Sequence, residues 1–230
     1  MKKVLVFNGS PKRNASDTMH MTRAFLDGMN SADEFDVSII NAIDKNIEFC
    51  RGCFVCKRNG GTCVINDDMK EILEEILNAD IIIWSFPLYC YGMPAHLKAL
   101  IDRTMPLSSM MMEKVGEHYE HISDHDFSKT SYVMICGCGF PSGKNNFEAM
   151  VTEFKLMFGD DKSTIITVPE SPMFNVKEAE PVTKPFLDVL REAGREYAAD
   201  GVISPDTWGK INTPMIPEEI YTQIANSANA

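Results

Sequence analysis

Apolar and polar positions along the chain follow one another in blocks that predict alternating strands and helices. After two lysines, the apolar run Val4–Phe7 predicts a buried strand, and Met21, Phe25 and Met29 then recur at helical spacing. Further strands are predicted at 35–40, 79–86, 131–136 and 163–168, and further helices at 69–78, 95–104, 146–158 and 182–199. Since right-handed crossovers place helices on both faces of such a sheet, the pattern predicts a three-layer α/β fold with a five-stranded, parallel, doubly wound sheet.

Three loops with unusual composition each follow a predicted strand, at residues 9–18, 87–93 and 137–143. Ligands of doubly wound sheets bind at the carboxyl ends of the strands, beside the point where the strand order reverses. The coincidence of the three loops therefore predicts one binding site that they share.

The first loop, 9–18, joins an apolar strand to a helix through Gly-Ser-Pro, with several hydroxyls and the cations Lys12 and Arg13. Backbone N–H groups and a helix N-terminus directed at one spot suit a phosphate group. The spacing matches neither the P-loop nor the dinucleotide fingerprint, so neither a nucleoside triphosphate nor a dinucleotide is the first expectation. An ordinary strand-to-helix turn is the alternative.

The composition is that of a globular protein of 230 residues with a net charge of −11, which argues against nucleic acid and anionic membranes as partners. No secretory signal or membrane span is apparent, so a cytoplasmic location is expected. We predict one domain over residues 1–200, with a cysteine-rich loop at 49–64 and an insertion at 107–128. An irregular C-terminal extension at 201–230 is predicted to pack on the domain or on a neighbouring subunit.

The cysteine-rich loop carries the spacing Cys50-x2-Cys53-x2-Cys56-x6-Cys63. Four thiolates within reach of one another can ligate a cubane iron–sulfur cluster. Unligated structural or redox thiols are a second interpretation. Zinc is a third, and it is disfavoured because zinc sites usually use two separated CxxC pairs.

The insertion contains Met110–Met112, which favour a core or interface contact, and His118 and His121, which would share one face of a helix. A metal site at these histidines competes with a solvated acidic insertion, which the composition favours. No hydrolytic triad, HExxH motif or paired carboxylates stand out.

Three stretches carry a resemblance to a known family: GSPKRNASDT after the first strand, CRGCFVCKRNGGTCVINDDM before the third, and SFPLYCYGMPAHLKALIDR after it. They are similar to the flavodoxin-like NAD(P)H-dependent FMN reductases, and most nearly to the branch of the iron–sulfur flavoproteins. The resemblance covers about residues 1–170 and implies a flavodoxin-like fold that binds FMN. The first loop has an extra residue between Pro11 and Thr18, which leaves open whether Ser16 or Thr18 makes the stronger phosphate contact.

The resemblance also implies the residues of the flavin site. The residues expected to contact FMN are Ser10, Lys12, Ser16, Asp17 through its backbone, Thr18, Pro87, Leu88, Tyr89, Cys90, Tyr91, Gly92, Gly137, Cys138 and Gly139. Apolar and aromatic walls suit a planar tricyclic ring, whereas core packing is the alternative for the two tyrosines. A [4Fe–4S] cluster is implied at the four cysteines of the loop.

The expected activity is transfer of electrons from NAD(P)H through FMN to a quinone, a flavin, a nitro or azo compound, or a protein. Because the cofactor performs the chemistry, no catalytic side chain is assigned. The alternative is a non-enzymatic electron carrier like flavodoxin, relaying electrons through a cluster at the cysteines. A redox-sensing switch protein is a third hypothesis. The resemblance further implies a homodimer or homotetramer.

Overall fold

The computed structural model of the protein describes residues 1–227. Its strands are β1 (Lys2–Asn8), β2 (Phe35–Asn41), β3 (Ile81–Pro87), β4 (Ser108–Val115), β5 (His118–Ser123), β6 (Ser131–Gly137) and β7 (Ser163–Val168). Its helices are α1 (Asp17–Ala32), α2 (Met69–Asn78), α3 (Ala95–Asp102), α4 (Glu148–Phe158), α5 (Glu180–Asp200), α6 (Pro205–Ile211) and α7 (Glu218–Ser227).

Five of these strands form one sheet in the order β2-β1-β3-β6-β7, and all four of its pairings are parallel. After β1 the chain adds β2 on one side and then β3 on the other, so the strand order reverses beside β1. The predicted fold class is confirmed. The point of reversal lies where the loops after β1 and β3 leave neighbouring strands.

Two hydrophobic cores cover the faces of this sheet. Val4 and Val6 of β1 face one core, with α1 and α5, while Leu5 and Phe7 face the other, with α2, α3 and α4. Alternate residues of a strand point to opposite faces, so a central strand with helices on both sides has to be apolar throughout. The run over 81–86 in β3 is buried at every position.

Helices α1 and α5 pack with their backbones in close approach. A Cβ atom at Gly28 would lie 1.8 Å from the carbonyl oxygen of Arg191, and one at Gly194 would lie 1.9 Å from that of Phe25. Only glycine fits at both positions. The two glycines therefore allow α1 and α5 to pack closely against each other.

The insertion forms an antiparallel hairpin of β4 and β5, with Met112 opposite His121 and Val115 opposite His118. The expectation that His118 and His121 share a helical face is wrong, because side chains three apart on a strand point to opposite faces. Both histidines are exposed, and His118 Nε2 lies 2.7 Å from Glu120 Oε1. Solvent therefore surrounds this part of the insertion.

The C-terminal extension is helical where we predicted an irregular segment, because Ser204 caps α6 by accepting a hydrogen bond from Thr207 N. Within the chain, Tyr221 Oη donates to the carbonyl oxygen of Gly139 at 3.1 Å. Residues 228–230 of the predicted extension lie outside the described residues. Among residues 1–227, every helix is too short or too polar to cross a membrane.

Candidate functional site

The three loops singled out in the sequence leave adjacent strands at the same edge of the sheet. Gly9 N donates to the carbonyl oxygen of Ser85 at 2.8 Å, which ties the first loop to β3. Leu88 N donates to the carbonyl oxygen of Gly137, also at 2.8 Å, which ties the second loop to the third. The predicted site residues of the three loops are thus brought to one edge.

The loop 9–18, called the phosphate loop below, takes its shape from the buried side chain of Asn8. Its Oδ1 accepts a hydrogen bond from Ser10 N at 3.0 Å, and its Nδ2 donates to Asn41 Oδ1 at 3.0 Å. Ser10 Oγ in turn accepts from Lys12 N at 3.3 Å. Sequence reasoning missed Asn8, although an Asn that precedes a Gly-Ser turn is a recognisable loop-forming signal.

Two buried hydroxyls meet at the N-terminus of α1. Ser16 Oγ caps the helix by accepting from Met19 N at 3.2 Å, and it lies 3.3 Å from Thr18 Oγ1. A hydrogen bond between these two hydroxyls uses one hydroxyl hydrogen, so the second hydroxyl can donate to a further acceptor. The N–H groups of Asp17 and Thr18 belong to the first helical turn and have no carbonyl acceptor within the helix. This arrangement suits a phosphate.

Each of the two cations of the phosphate loop lies near a carboxylate. Arg13 Nε lies 2.6 Å from Asp44 Oδ1, so this cation is engaged away from the loop. Lys12 Nζ lies 3.8 Å from Asp17 Oδ2 and is 61% exposed. Asp17 also accepts a hydrogen bond from Asn175 Nδ2, which holds its carboxylate to the side. Both cations are exposed, and Lys12 is the more loosely paired of the two.

The loop after β3 makes a tight turn that projects two aromatic rings. The backbones of Tyr89 and Gly92 exchange two hydrogen bonds of 3.0 Å, and Cys90 and Tyr91 between them have φ values of 50° and 63°. Both φ values are positive, a strained conformation for residues other than glycine. Tyr89 and Tyr91 are 48% and 54% exposed, which excludes simple core packing.

Tyr91 faces the ring of Phe140 from the loop after β6. Their ring centroids lie 6.3 Å apart and the ring planes differ by 12°. Phe140 is itself 44% exposed, so the two nearly parallel rings form an aromatic surface open to solvent. Pro87 is the last residue of β3, and Leu88, which follows it, is half-buried.

The start of the loop after β6 is buried, unlike Phe140. Cys138 is 4% exposed, and burial raises the pKa of its thiol, so this side chain belongs to the core and not to the open face. Its N–H donates to the carbonyl oxygen of Val168 at 3.0 Å. Gly139 and Gly137 flank Cys138 and bring only backbone to the edge of the sheet.

Helix α3 connects this edge to the cysteine-rich loop. At its first turn, His96 Nε2 lies 2.8 Å from the carbonyl oxygen of Gly9 in the phosphate loop. Directly after its last residue, Arg103 reaches the cysteine-rich loop. Sequence reasoning assigned no role to either residue, because nothing local distinguishes them from other helical side chains.

Cys50, Cys53, Cys56 and Cys63 line one small pocket together with Arg103. All seven cysteines of the chain are free thiols. Among the described residues, no three His, Cys, Asp or Glu side chains surround a position for a single metal ion. Four reduced thiols on one pocket match the donor set of a cubane cluster, whose ligands stand further apart than those of one ion.

Arg103 and Asp67 form a buried ion pair behind this pocket. The contacts are 2.7 Å from Nη1 to Oδ2 and 2.9 Å from Nη2 to Oδ1, and both side chains are 1% exposed. Burial alone would raise the pKa of Asp67, but hydrogen bonds from Arg103 and from the backbone of Glu48 and Met69 hold that pKa below its usual value. The pair is charged, and it fixes the end of the cysteine-rich loop.

Comparison with known proteins agrees with this architecture. A family model described as the flavodoxin-like fold matches residues 2–159. The chain belongs to this flavodoxin-like family. Two curated relatives are an iron–sulfur flavoprotein of Methanocaldococcus jannaschii, 36% identical over 116 residues, and one of Methanosarcina thermophila, 34% identical over 117 residues. The resemblance to the iron–sulfur flavoproteins is thereby confirmed.

These two alignments cover 50% of this flavodoxin-like chain and 58% and 60% of the relatives, respectively. The solved structures that it resembles include an FMN-dependent NADH-azoreductase of Bacillus anthracis in complex with FMN. That match has a TM-score of 0.62 at 17% identity and covers 86% of this chain and 100% of the azoreductase chain. An NAD(P)H:quinone oxidoreductase of Methanothermobacter marburgensis matches with a TM-score of 0.60 at 18% identity, covering 85% and 96%. At these low sequence identities, the likeness shows a shared fold and nothing more.

Proposed function

We propose that this protein is an FMN-dependent NAD(P)H oxidoreductase. One observation carries the proposal: a hydroxyl pair at the N-terminus of α1 and the exposed rings of Tyr91 and Phe140 lie on loops at the same edge of the sheet. A phosphate and a planar ring are the two parts of FMN that a protein has to recognise. The azoreductase and quinone oxidoreductase with similar folds support this assignment.

The residues present fit FMN at its phosphate end. The hydroxyls of Ser10, Ser16 and Thr18, the first-turn N–H groups of α1 and the exposed Lys12 would hold the phosphate. The turn over 87–92 and the backbone of Gly137 and Gly139 would border the ring. When bound, FMN supplies the chemistry of taking hydride from NAD(P)H and passing electrons to an acceptor. The chain's own part is to orient the ring and to leave one of its faces open.

The acceptor belongs to the classes expected from the sequence, namely a quinone, a flavin, a nitro or azo compound, or a protein. A cytoplasmic location and a homodimer or homotetramer are part of the same proposal. Met110–Met112 on the hairpin are 55–63% exposed. They therefore offer an apolar contact surface for a second subunit. The C-terminal extension from residue 201 is proposed as an appendage to the domain over residues 1–200.

A second candidate function is an iron–sulfur flavoprotein that carries electrons between partners. The observation that favours it is the pocket shared by Cys50, Cys53, Cys56 and Cys63, and the curated relatives named iron–sulfur flavoproteins support it. These thiols would hold a [4Fe–4S] cluster, which supplies one-electron transfer. Negligible oxidation of NADH and NADPH by protein loaded with FMN, with several acceptors, would favour this carrier over the reductase.

The phosphate loop is tested by titrating the apoprotein with FMN and with riboflavin, which lacks the phosphate. We expect riboflavin to bind roughly 100-fold more weakly, because it loses two or more charge-assisted hydrogen bonds. Lys12→Ala should weaken FMN binding on the order of fivefold, about 1 kcal/mol, and leave riboflavin unchanged. Lys184→Ala, which removes an exposed lysine of α5, is the matched control. Equal affinities for the two flavins would contradict the proposal.

A further inference from the structure

A buried cation stands directly behind the four cysteines. The Arg103 side chain is 1% exposed, and its Nη1 donates to the carbonyl oxygen of Glu48 at 2.7 Å. The same guanidinium holds Asp67 in two contacts. Glu48 precedes the first cysteine of the loop and Asp67 follows the last one. Arg103 therefore joins the two ends of the cysteine-rich loop from the end of α3.

The guanidinium also contacts a sulfur atom. Arg103 Nη2 donates to Cys63 Sγ at 3.6 Å, and the remaining Nε–H is buried without a partner among the described residues. Arg103 lines the same pocket as the four thiols. A buried N–H donor without an acceptor costs free energy. This one belongs to a guanidinium that already contacts Cys63 Sγ, so it remains available for a further acceptor at the pocket of the four thiols.

The electrostatic effect of such a contact on a thiolate-ligated centre has a definite sign. Hydrogen bonds to ligand sulfurs withdraw charge from the centre and stabilise its reduced form, so they raise the reduction potential. Asp67 opposes the guanidinium charge because it is equally buried and in direct contact. The potential should therefore respond in opposite directions to changes of the two residues.

We propose that Arg103 is a positioning residue that closes the cysteine-rich loop and raises the reduction potential of the iron–sulfur centre held there. The carboxylate of Asp67 lowers the same potential. This inference rests on the second candidate function above. Lysine cannot replace Arg103, since one ammonium group cannot bind a carboxylate in two contacts while also reaching a sulfur and a carbonyl.

The test is a midpoint potential, measured by anaerobic titration of the full-length protein after reconstitution with iron and sulfide. At the wild-type midpoint, Arg103→Lys should lower the ratio of reduced to oxidised centre about threefold, or about 28 mV at about 59 mV per tenfold change. Asp67→Asn should raise the ratio. The matched control is Arg195→Lys, because Arg195 is exposed on α5 and likewise binds a carboxylate, that of Glu192, in two contacts.

The outcomes separate this inference from the function on which it rests. Opposite shifts in the Arg103 and Asp67 variants, with Arg195→Lys unchanged, support it. Iron-loaded variants with the wild-type potential overturn it and leave the cluster in place. If Arg103→Lys fails to retain iron, the Asp67→Asn shift decides alone, and a shift to lower potential overturns the proposal. Wild-type protein that takes up no iron and sulfide overturns the cluster and this inference together.

Discussion

The imidazole of His96 and the carbonyl oxygen of Gly9 are 2.8 Å apart, although 87 residues separate them in the chain. The contact fastens the first turn of α3 to the start of the phosphate loop. It therefore links the loop that follows β3 to the loop that follows β1, at the point where the strand order reverses. The geometry of the proposed flavin site depends on such contacts between distant segments.

Replacement of His96 should loosen the phosphate loop. For His96→Ala we expect FMN to bind about fivefold more weakly, because a hydrogen bond of about 1 kcal/mol to the loop backbone is lost. His96→Gln retains an amide donor and should recover part of the affinity. Flavin fluorescence titration measures both variants, and an unchanged affinity in His96→Ala would show that the contact is dispensable.

Two glycines in one loop offer a matched pair of substitutions. A Cβ atom at Gly137 would lie 2.6 Å from Ser171 Oγ and 2.7 Å from its Cβ, whereas one at Gly139 would have Pro172 Cγ at 3.6 Å as its nearest neighbour. Gly137→Ala should lower the free energy of unfolding by roughly 1–3 kcal/mol through overpacking. Gly139→Ala should change it little. Urea denaturation of both proteins tests this, and equal stabilities would contradict the prediction.

Substitutions at Ser16 and Thr18 should distinguish an effect on stability from an effect on phosphate binding. Ser16→Ala removes the cap of α1 and should cost about 1 kcal/mol of stability as well as FMN affinity. Thr18→Val keeps the side-chain shape and lies inside the first turn, so it should weaken FMN binding with little loss of cap energy. Thermal unfolding without flavin, followed by FMN titration, distinguishes the two. A destabilised Thr18→Val with intact binding would refute this division of roles.

Glu170 should give the stability of the protein a dependence on pH. Its side chain is buried at a left-handed backbone position with φ 58°, Oε2 accepts from Met215 N at 2.8 Å, and Oε1 has no partner among the described residues. Burial raises the pKa of this carboxyl above its ordinary value of 4.5, a direction that nearby Glu218 reinforces. The folded protein thus retains this proton to a higher pH than the unfolded chain does.

The stabilisation by neutral Glu170 is complete below the unfolded pKa and is lost as the pH rises through the folded pKa. Glu170→Gln has no such proton to lose. The free energy of unfolding of wild type minus that of Glu170→Gln should therefore fall as the pH rises from the ordinary carboxyl range to about pH 8. Denaturant titrations at several pH values check the trend. A constant difference would show that Glu170 does not titrate in this range.

The regular elements could be predicted because local patterns determine them. The strand at 163–168 and the helix at 69–78 occur at the predicted residues, since an apolar run and a helical repeat each specify their own structure. The hairpin in 107–128 was not predicted, because Met110–Met112 interrupt the alternation of a solvent-exposed strand. Its consecutive methionines show neither a strand nor a helix period.

The site could be predicted only in part. The loops were visible because each follows a strand, and parallel topology alone brings strand ends together. The side chains of Asn8, His96 and Arg103 make contacts with residues that lie 33 to 87 positions away in the chain. Such contacts follow from packing and leave no trace in local spacing. Cys138 shows the converse, because its place among the three loops suggested a flavin contact, whereas its side chain is 4% exposed.

Helix α3 has eight residues, so its two ends are on the order of 10 Å apart. One end touches the phosphate loop through His96, and Arg103 just beyond the other touches the cysteine-rich loop. At an effective dielectric constant of about 20, a unit charge acts on another over this distance with about 1.7 kcal/mol before screening by salt. A charge added at one end of α3 is thus felt at the other. Under the proposed function, an electron gained at the cysteine-rich loop would therefore disfavour a second negative charge at the phosphate loop.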